Sequence, residues 1–199
     1  NEYEKWLHIW KGGYIDAGGG FAFINMNYTE PIMPNADAEV YIFLDPSYKG
    51  IDNTALTFAW ILGDKVMVYG VQWAKGWHDC IEDVVNTCNI VLENARKDNY
   101  YFYYEANGGV GLNPQRALWE CGIMASPQET CGEKHSKIML LTSIYQYIYF
   151  INTPLNNSYN NDIKKFFYKT KEHDDAPDCL AMCLLKMGIL NTKINKYIR

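Results

Sequence analysis

Three apolar segments of strand character, joined by short turns, follow one another between residues 39 and 74 and constrain the fold most strongly. They are residues 39–44 (EVYIFL), 54–62 (TALTFAWIL) and 65–74 (KVMVYGVQWA). All three are rich in β-branched and aromatic residues, which favour strands. Because the turn at Gly63-Asp64 is short, the last two strands are predicted to pair in an antiparallel meander.

Helical spacing begins after these strands. Between residues 77 and 97 apolar residues recur every three or four positions, which predicts an amphipathic helix. Residues 100–104 (YYFYY) predict a fourth strand and residues 122–126 a fifth. Residues 147–151 fit either a strand or the end of a helix. Further helices are predicted at residues 113–121, 134–146 and 179–189.

A meander followed by alternating strands and helices predicts an α/β fold, with a mixed central sheet flanked by helices. Residues 152–161 are polar and are predicted to form a loop. Residues 1–38 are expected to be an irregular N-terminal arm or interdomain hinge, because glycine clusters and prolines interrupt them. The domain itself is predicted to span residues 39–199.

Composition excludes several classes of protein. With 48% hydrophobic and 21% charged residues, the 199-residue chain is not an intrinsically disordered protein. No apolar run reaches the roughly 18 residues of a membrane-spanning helix. The six cysteines include no CxxC pair, so we expect reduced cysteines packed in a cytosolic protein. The N-terminus has no signal-peptide pattern. Because it begins at Asn1 without a Met, we expect a processed product or a piece of a longer protein.

Charge is unevenly distributed along the chain. Residues 1–105 hold 7 basic and 15 acidic residues, whereas residues 106–199 hold 11 and 8. The overall net charge of −5 argues against strong global attraction to nucleic acid. Lysines nevertheless flank the acidic residues of 172–178, and this pattern suits a site that holds a metal and a polyanion together. A solvated surface with ordinary charge mixing is the alternative.

Acidic residues stand at three positions that a mixed sheet can bring together. Asp45 ends the first predicted strand, Glu105 ends the fourth, and Asp175 and Asp178 stand at the start of the last helix. Carboxylates packed closely raise one another's pKa and stay ionised only with a cation among them. Oxygen ligands suit Mg²⁺ or Mn²⁺, and two such ions about 4 Å apart can promote phosphodiester hydrolysis. Each acid alone is also compatible with a turn or a helix cap.

Three segments, FLDPSYKGIDNTAL, YYEANGGVG and HDDAPDCLA, in this order resemble the nuclease domain of the large terminase subunit, the DNA-packaging motor protein of tailed bacteriophages. This resemblance covers roughly residues 39–190 and implies a ribonuclease H-like fold. No phosphate-binding loop of the GxxxxGK[ST] type is present, so the motor's ATPase domain is expected upstream.

The resemblance also implies roles for individual residues. Asp45 and Glu105 match two of the family's catalytic, metal-binding acids. The third matches either Asp175 or Asp178, and we predict Asp175 as the catalytic ligand with Asp178 as an additional metal ligand. Asp52 is treated as non-ligating, and His173 and Asp174 are expected either around the site or facing solvent. The KHSKI segment resembles a basic family segment. The candidate DNA-binding residues are Lys134, Lys137, Lys164, Lys165 and Lys169.

The function that the resemblance implies is cleavage of concatemeric double-stranded DNA with two Mg²⁺ or Mn²⁺ ions, leaving 3′-hydroxyl and 5′-phosphate ends. Implied partners are the ATPase domain of the same protein, the portal protein and the small terminase subunit, without a membrane. The implied location is the cytoplasm of the infected host cell rather than the mature virion. Two alternatives stay open: a Holliday-junction resolvase or RNA–DNA hybrid nuclease with the same site, and a module that mainly docks on the portal through aromatic residues.

Overall fold

The computed structural model describes residues 23, 25–48, 52–96, 98–106, 113–129, 134–166 and 174–190 of the chain. Seven strands run in chain order: β1 (Asn27–Thr29), β2 (Val40–Asp45), β3 (Thr54–Leu62), β4 (Lys65–Trp73), β5 (Tyr100–Glu105), β6 (Ser126–Gln128) and β7 (Ile148–Ile151). Five α-helices accompany them: α1 (Trp77–Val91), α2 (Asn113–Glu120), α3 (Lys134–Leu140), α4 (Asn157–Lys165) and α5 (Asp175–Lys186). None of the described helices is long and apolar enough to cross a membrane.

The strands form one mixed sheet in the order β1-β7-β4-β3-β2-β5-β6. Strand β3 is antiparallel to both of its neighbours, and the other pairings are parallel. The predicted meander β2-β3-β4 and the predicted mixed sheet are therefore confirmed. One consequence matters for the site: the carboxyl ends of β2 and β5 lie side by side at the same edge of the sheet.

Helices cover both faces of the sheet. On one face, α1 and α2 bury residues such as Trp77 and Leu118 against the apolar side of β2 and β3. On the other face, α5 packs directly on β2 and β3, and α3 and α4 pack against α5. Gly70 of β4 allows the close approach of α4, because a Cβ atom at that position would overlap the Tyr159 ring.

Two predicted boundaries were wrong for local reasons. Residues 122–125 of the predicted fifth strand are not in a strand, since Gly122, with φ of 78°, ends helix α2 in a left-handed cap. In that cap the Ile123 N–H donates to the Leu118 carbonyl at 2.9 Å, and pairing begins only at Ser126. The helix predicted over 134–146 ends at Leu140 and continues as two 3-10 turns. There the Ser143 hydroxyl donates to the Leu140 carbonyl at 2.7 Å and competes with the helical ladder.

Two other segments carry structure that their sequence does not predict. Residues 152–161 are not a loop, because a capping box of Thr153 and Asn156 leads into helix α4. Residues 27–29, within the expected irregular arm, form the edge strand β1 beside β7. The open choice at residues 147–151 is settled as strand β7. Cys131, Lys169, His173 and residues 1–22 and 107–112 lie outside the described residues.

Candidate functional site

Asp45 and Glu105 leave the sheet next to each other. Strands β2 and β5 run parallel with Leu44 opposite Tyr104, so the acid that ends each strand emerges at the same level. Their two carboxyl groups are hydrogen-bonded to each other. The closeness of the Glu105 carboxyl therefore disfavours the charged form of Asp45.

Helix α5 brings Asp175 to the same place through its register on β2. The Cys183 thiol donates to the Tyr41 carbonyl at 3.4 Å, and the Cys179 thiol donates to the Phe43 carbonyl at 3.2 Å. Four helical residues advance about 6 Å, and two strand residues advance about 6.6 Å. One more such step places Asp175 beside Asp45. The cysteines predicted as reduced packing residues thus also fix this register, and five cysteines in the described part of the chain are unpaired.

A backbone hydrogen bond holds the side chain of Asp175 in this position. Asp175 is only 8% exposed, and one of its carboxylate oxygens accepts a hydrogen bond from the Asn53 backbone N–H at 3.0 Å. Asn53 directly precedes β3, whose residue Ala55 pairs with Asp45. The exposed Asp52 lies close enough to raise the pKa of Asp175. The start of α5 is therefore anchored to the same edge of the sheet from which Asp45 and Glu105 emerge.

Burial and mutual repulsion disfavour the charged forms of these acids. Burial raises the pKa of Asp45 well above its usual range, and the neighbouring Glu105 and Asp175 raise it further. Burial also raises the pKa of Asp175 and of Asp178. The positive charge of Lys134 lowers the pKa of all three acids. The cluster is thus a region of excess negative charge that a cation stabilises.

Two lysines and a histidine from α3 face the start of α5. The Lys134 ammonium lies 2.7 Å from Oδ1 of Asp174 and 3.7 Å from Oδ2 of Asp178. The Lys137 ammonium lies 3.4 Å from Oδ1 of Asp178. The His135 ring nitrogen Nε2 lies 3.1 Å from the other oxygen of Asp174. Lys134 and Lys137, predicted as DNA contacts, are therefore both paired with acids of the site.

Other residues singled out from the sequence lie elsewhere. Lys164 and Lys165 are exposed in the last turn of α4. The contact between His135 and Asp174 was not predicted from the sequence. Its only signal is that His135 sits beside Lys134 in the KHSKI segment, within the first turn of a short helix.

The acidic side chains of the site are of the chemical type that binds a hard divalent cation. Asp45, Glu105, Asp175 and Asp178 offer only carboxylate oxygens, the ligands that Mg²⁺ and Mn²⁺ prefer. Oδ1 of Asp178 is buried and makes no hydrogen bond with the described residues, although Lys137 is close. Within the described ranges, no three His, Cys, Asp or Glu side chains already stand at metal-binding distances. The ammonium of Lys134 lies among these carboxylates instead.

Comparison with known proteins defines the class of fold. No protein-family model matches the sequence, and no curated protein matches it at a significant level. Solved structures do match, and this chain shares their fold, which is of the ribonuclease H-like type. They include nuclease domains of terminases and whole large terminases, so the resemblance predicted from the sequence is confirmed at the level of the fold.

Three of these structures illustrate the similarity. The human cytomegalovirus terminase nuclease domain, soaked with Mn and bound to an inhibitor, has a TM-score of 0.60 and 11% identity over 86% of this chain and 93% of that chain. The nuclease domain of the bacteriophage SPP1 large terminase with bound Mn has a TM-score of 0.59 and 12% identity over 83% and 98%. The large terminase of a thermophilic bacteriophage in complex with ADP has a TM-score of 0.55 and 9% identity. The matching region covers 81% of this chain and 43% of the length of that terminase.

Proposed function

We propose that this chain is the metal-dependent endonuclease domain of a viral DNA-packaging terminase, which cleaves concatemeric double-stranded DNA by hydrolysing phosphodiester bonds. The observation that carries this proposal is the convergence of Asp45, Glu105 and Asp175, far apart in sequence, at one edge of a sheet with the fold of terminase nuclease domains. Ordinary turn-forming or capping acids have no reason to meet in a buried cluster, where each disfavours the charged form of the others.

Two Mg²⁺ or Mn²⁺ ions, when bound, would supply the activation of a water molecule and the stabilisation of the leaving oxygen. Asp45, Glu105 and Asp175 would hold these ions, with Asp178 as a further ligand. The Asn53 backbone N–H orients the carboxylate of Asp175 by a hydrogen bond of 3.0 Å. Because Glu105 and burial raise the pKa of Asp45, a bound cation would stabilise the charged form of Asp45.

The DNA backbone is proposed to contact lysines outside the acidic centre. Lys164 and Lys165 project from the last turn of α4 into solvent, and Lys169 follows them in sequence. Lys134 and Lys137 are further candidates at the edge of the acidic centre, where their ammonium groups lie 3.7 and 3.4 Å from the carboxylate of Asp178. Phosphate contacts of this kind are independent of base sequence, which suits an enzyme with little sequence preference.

The proposed partners follow from the larger protein to which such a domain belongs. The large terminase of the thermophilic bacteriophage, crystallised with ADP, is more than twice as long as the part of it that this chain covers. We therefore propose an ATPase domain in the same protein, together with the portal protein and the small terminase subunit as partners. The proposed location is the host cell during genome packaging.

Cleavage of supercoiled plasmid DNA tests the proposal. With Mn²⁺ or Mg²⁺ present, the chain should nick the plasmid, and EDTA should abolish nicking. Asp45→Asn should lower the rate by roughly 100-fold or more, since loss of even an outer-shell partner of a metal ligand costs 10- to 100-fold. Asp79→Asn, which changes an exposed acid of α1, is the matched control and should leave the rate unchanged.

Equal nicking by the wild-type chain and Asp45→Asn would contradict the assignment. Holliday junctions and RNA–DNA hybrids, assayed beside linear duplex DNA, separate the related nuclease functions. A strong preference for a junction would replace the terminase assignment by a resolvase. Portal binding without metal-dependent cleavage of any substrate would leave only a docking module.

A further inference from the structure

A lysine ammonium already occupies the acidic centre. Lys134, at the start of α3, keeps its side chain only 38% exposed and sends its ammonium to Asp174 and Asp178 at 2.7 and 3.7 Å. The same positive charge acts on Asp45 and Asp175. One ammonium therefore interacts with four carboxylates that come from two separate regions of the chain.

Charge balance makes this position significant. Five carboxylates gather here, and the two ammonium groups of α3 face them. These carboxylates belong to Asp45, Glu105, Asp174, Asp175 and Asp178. Asp178 is 4% exposed, and its two oxygens face Lys134 and Lys137 respectively. A divalent ion that approaches Asp178 therefore meets like charge at close range, and like charges in a poorly solvated site repel strongly.

We propose that Lys134 is a built-in counter-cation that competes with the divalent ion for the carboxylates of the site. This inference rests on the proposed function, because it assumes that these carboxylates bind a metal. Without the ion, the ammonium of Lys134 partly compensates the buried negative charge and holds the start of α5 against α3. When the ion binds, the ammonium must withdraw from Asp178, and the cost of this withdrawal weakens the measured affinity.

Titration of the whole chain with Mn²⁺, followed by the electron paramagnetic resonance signal of the free ion, tests the competition. Lys134→Met removes the charge and keeps the apolar stem, so it should tighten Mn²⁺ binding by about tenfold. Lys134→Arg keeps the charge and should bind like the wild-type chain. Lys137→Met removes the other ammonium beside Asp178 and is the matched control. It should tighten binding less, since Lys137 touches only Asp178 among the acids.

A second measurement needs no variant. Acetylation by acetic anhydride, mapped by mass spectrometry, should increase at Lys134 when Mn²⁺ is added to the wild-type chain, because the displaced amine becomes accessible. Lys65, at the opposite end of β3 and β4 from Asp45, should be modified equally with and without Mn²⁺.

The outcomes separate this inference from the proposed function. Mn²⁺ affinity equal in the wild-type chain and Lys134→Met, or unchanged acetylation of Lys134, would overturn the competition and leave the metal site intact. Mn²⁺ binding that is absent from the wild-type chain, or that Asp45→Asn does not weaken, would overturn the metal site itself.

Discussion

Helices α5 and α1 lie on opposite faces of the same sheet, but they are buried to very different degrees. Ten consecutive residues of α5, from Asp175 to Leu184, are buried. In α1 only one stripe is buried, and Asp79 and Glu82 are exposed to solvent. The sheet covers one side of α5, and α3 and α4 cover it further, whereas α1 borders solvent.

This difference in burial decides whether an acidic residue indicates a functional site. An aspartate on α1 is hydrated and needs no partner, so its presence carries little information about function. Asp175 and Asp178 of α5 are buried, so their charged forms carry a desolvation cost that nearby cations reduce. Burial, rather than residue type, therefore distinguishes the candidate site from the other acids of this acidic chain.

The largest expected difference between the two helices is the loss of stability when an apolar side chain is truncated. Leu180→Ala on α5, where the residue is 1% exposed, should lower the free energy of unfolding by about 3 kcal/mol. Ile90→Ala on α1, where the residue is 56% exposed, should change it by no more than about 0.5 kcal/mol. Urea denaturation measures both values, and similar losses in the two variants would remove the distinction between the helices.

The pH dependence of stability should be smaller but specific to the α5 side. The folded protein raises the pKa of Asp45, Asp175 and Asp178 above the ordinary value of 3.8, so it binds their protons more tightly than the unfolded chain does. The contribution of these groups to stability is therefore greatest at low pH and falls as the pH rises from 3.8 through the folded pKa values.

Thermal unfolding in EDTA measures this contribution. Asp45→Asn should raise the melting temperature by a few degrees at about pH 8 and by less at about pH 5, because the amide carries no charge to bury. Glu82→Gln should leave the melting temperature unchanged at both pH values, since that acid of α1 is exposed and lies beyond the first helical turn. A melting temperature lowered by Asp45→Asn at the higher pH would show that the ionised carboxylate stabilises the metal-free protein.

The sequence predicts the site well where local strand patterns determine geometry. Two strands that each end in an acid, Asp45 and Glu105, are recognisable because their apolar runs are short and clearly bounded. Parallel neighbours in a sheet then bring both acids to one edge, as the structure has them. Asp175 is recognisable as an acid at a helix start, but its distance from Asp45 depends on how α5 registers on β2.

Other features depend on tertiary contacts that no local pattern encodes. Helix α4 forms within a polar segment because two asparagines of that segment are buried. The side-chain amides of Asn156 and Asn160 donate to the carbonyls of Gly70 and Ile151. Strand β1 has three residues and exists only through its pairing with β7. The pairing of Lys134 with Asp174 joins residues 40 positions apart. The sequence therefore indicates Lys134 as a candidate DNA contact but not as a partner of Asp174.

A comparison of two hydroxyl groups, one on each side of the sheet, has a smaller expected effect on stability than the apolar truncations. In the interior beneath α5, the Tyr159 hydroxyl donates to Thr57, the Thr57 hydroxyl donates to the Cys179 thiol, and that thiol donates to the Phe43 carbonyl. On α1, the Thr87 hydroxyl donates at 2.7 Å to the carbonyl of Asp83 in its own helix. The first chain of hydrogen bonds connects four elements, α4, β3, α5 and β2, whereas the second bond is local.

Thr57→Val should therefore cost about 1.5 kcal/mol of unfolding free energy, because it leaves the buried Tyr159 hydroxyl without its acceptor. Thr87→Val should change stability by no more than about 0.5 kcal/mol, since that hydroxyl bond adds little to a helix. Thr57→Val should also weaken Mn²⁺ binding, because Cys179 sets the register that brings Asp175 to Asp45. Unchanged Mn²⁺ affinity in a folded Thr57→Val protein would show that apolar packing alone maintains this register.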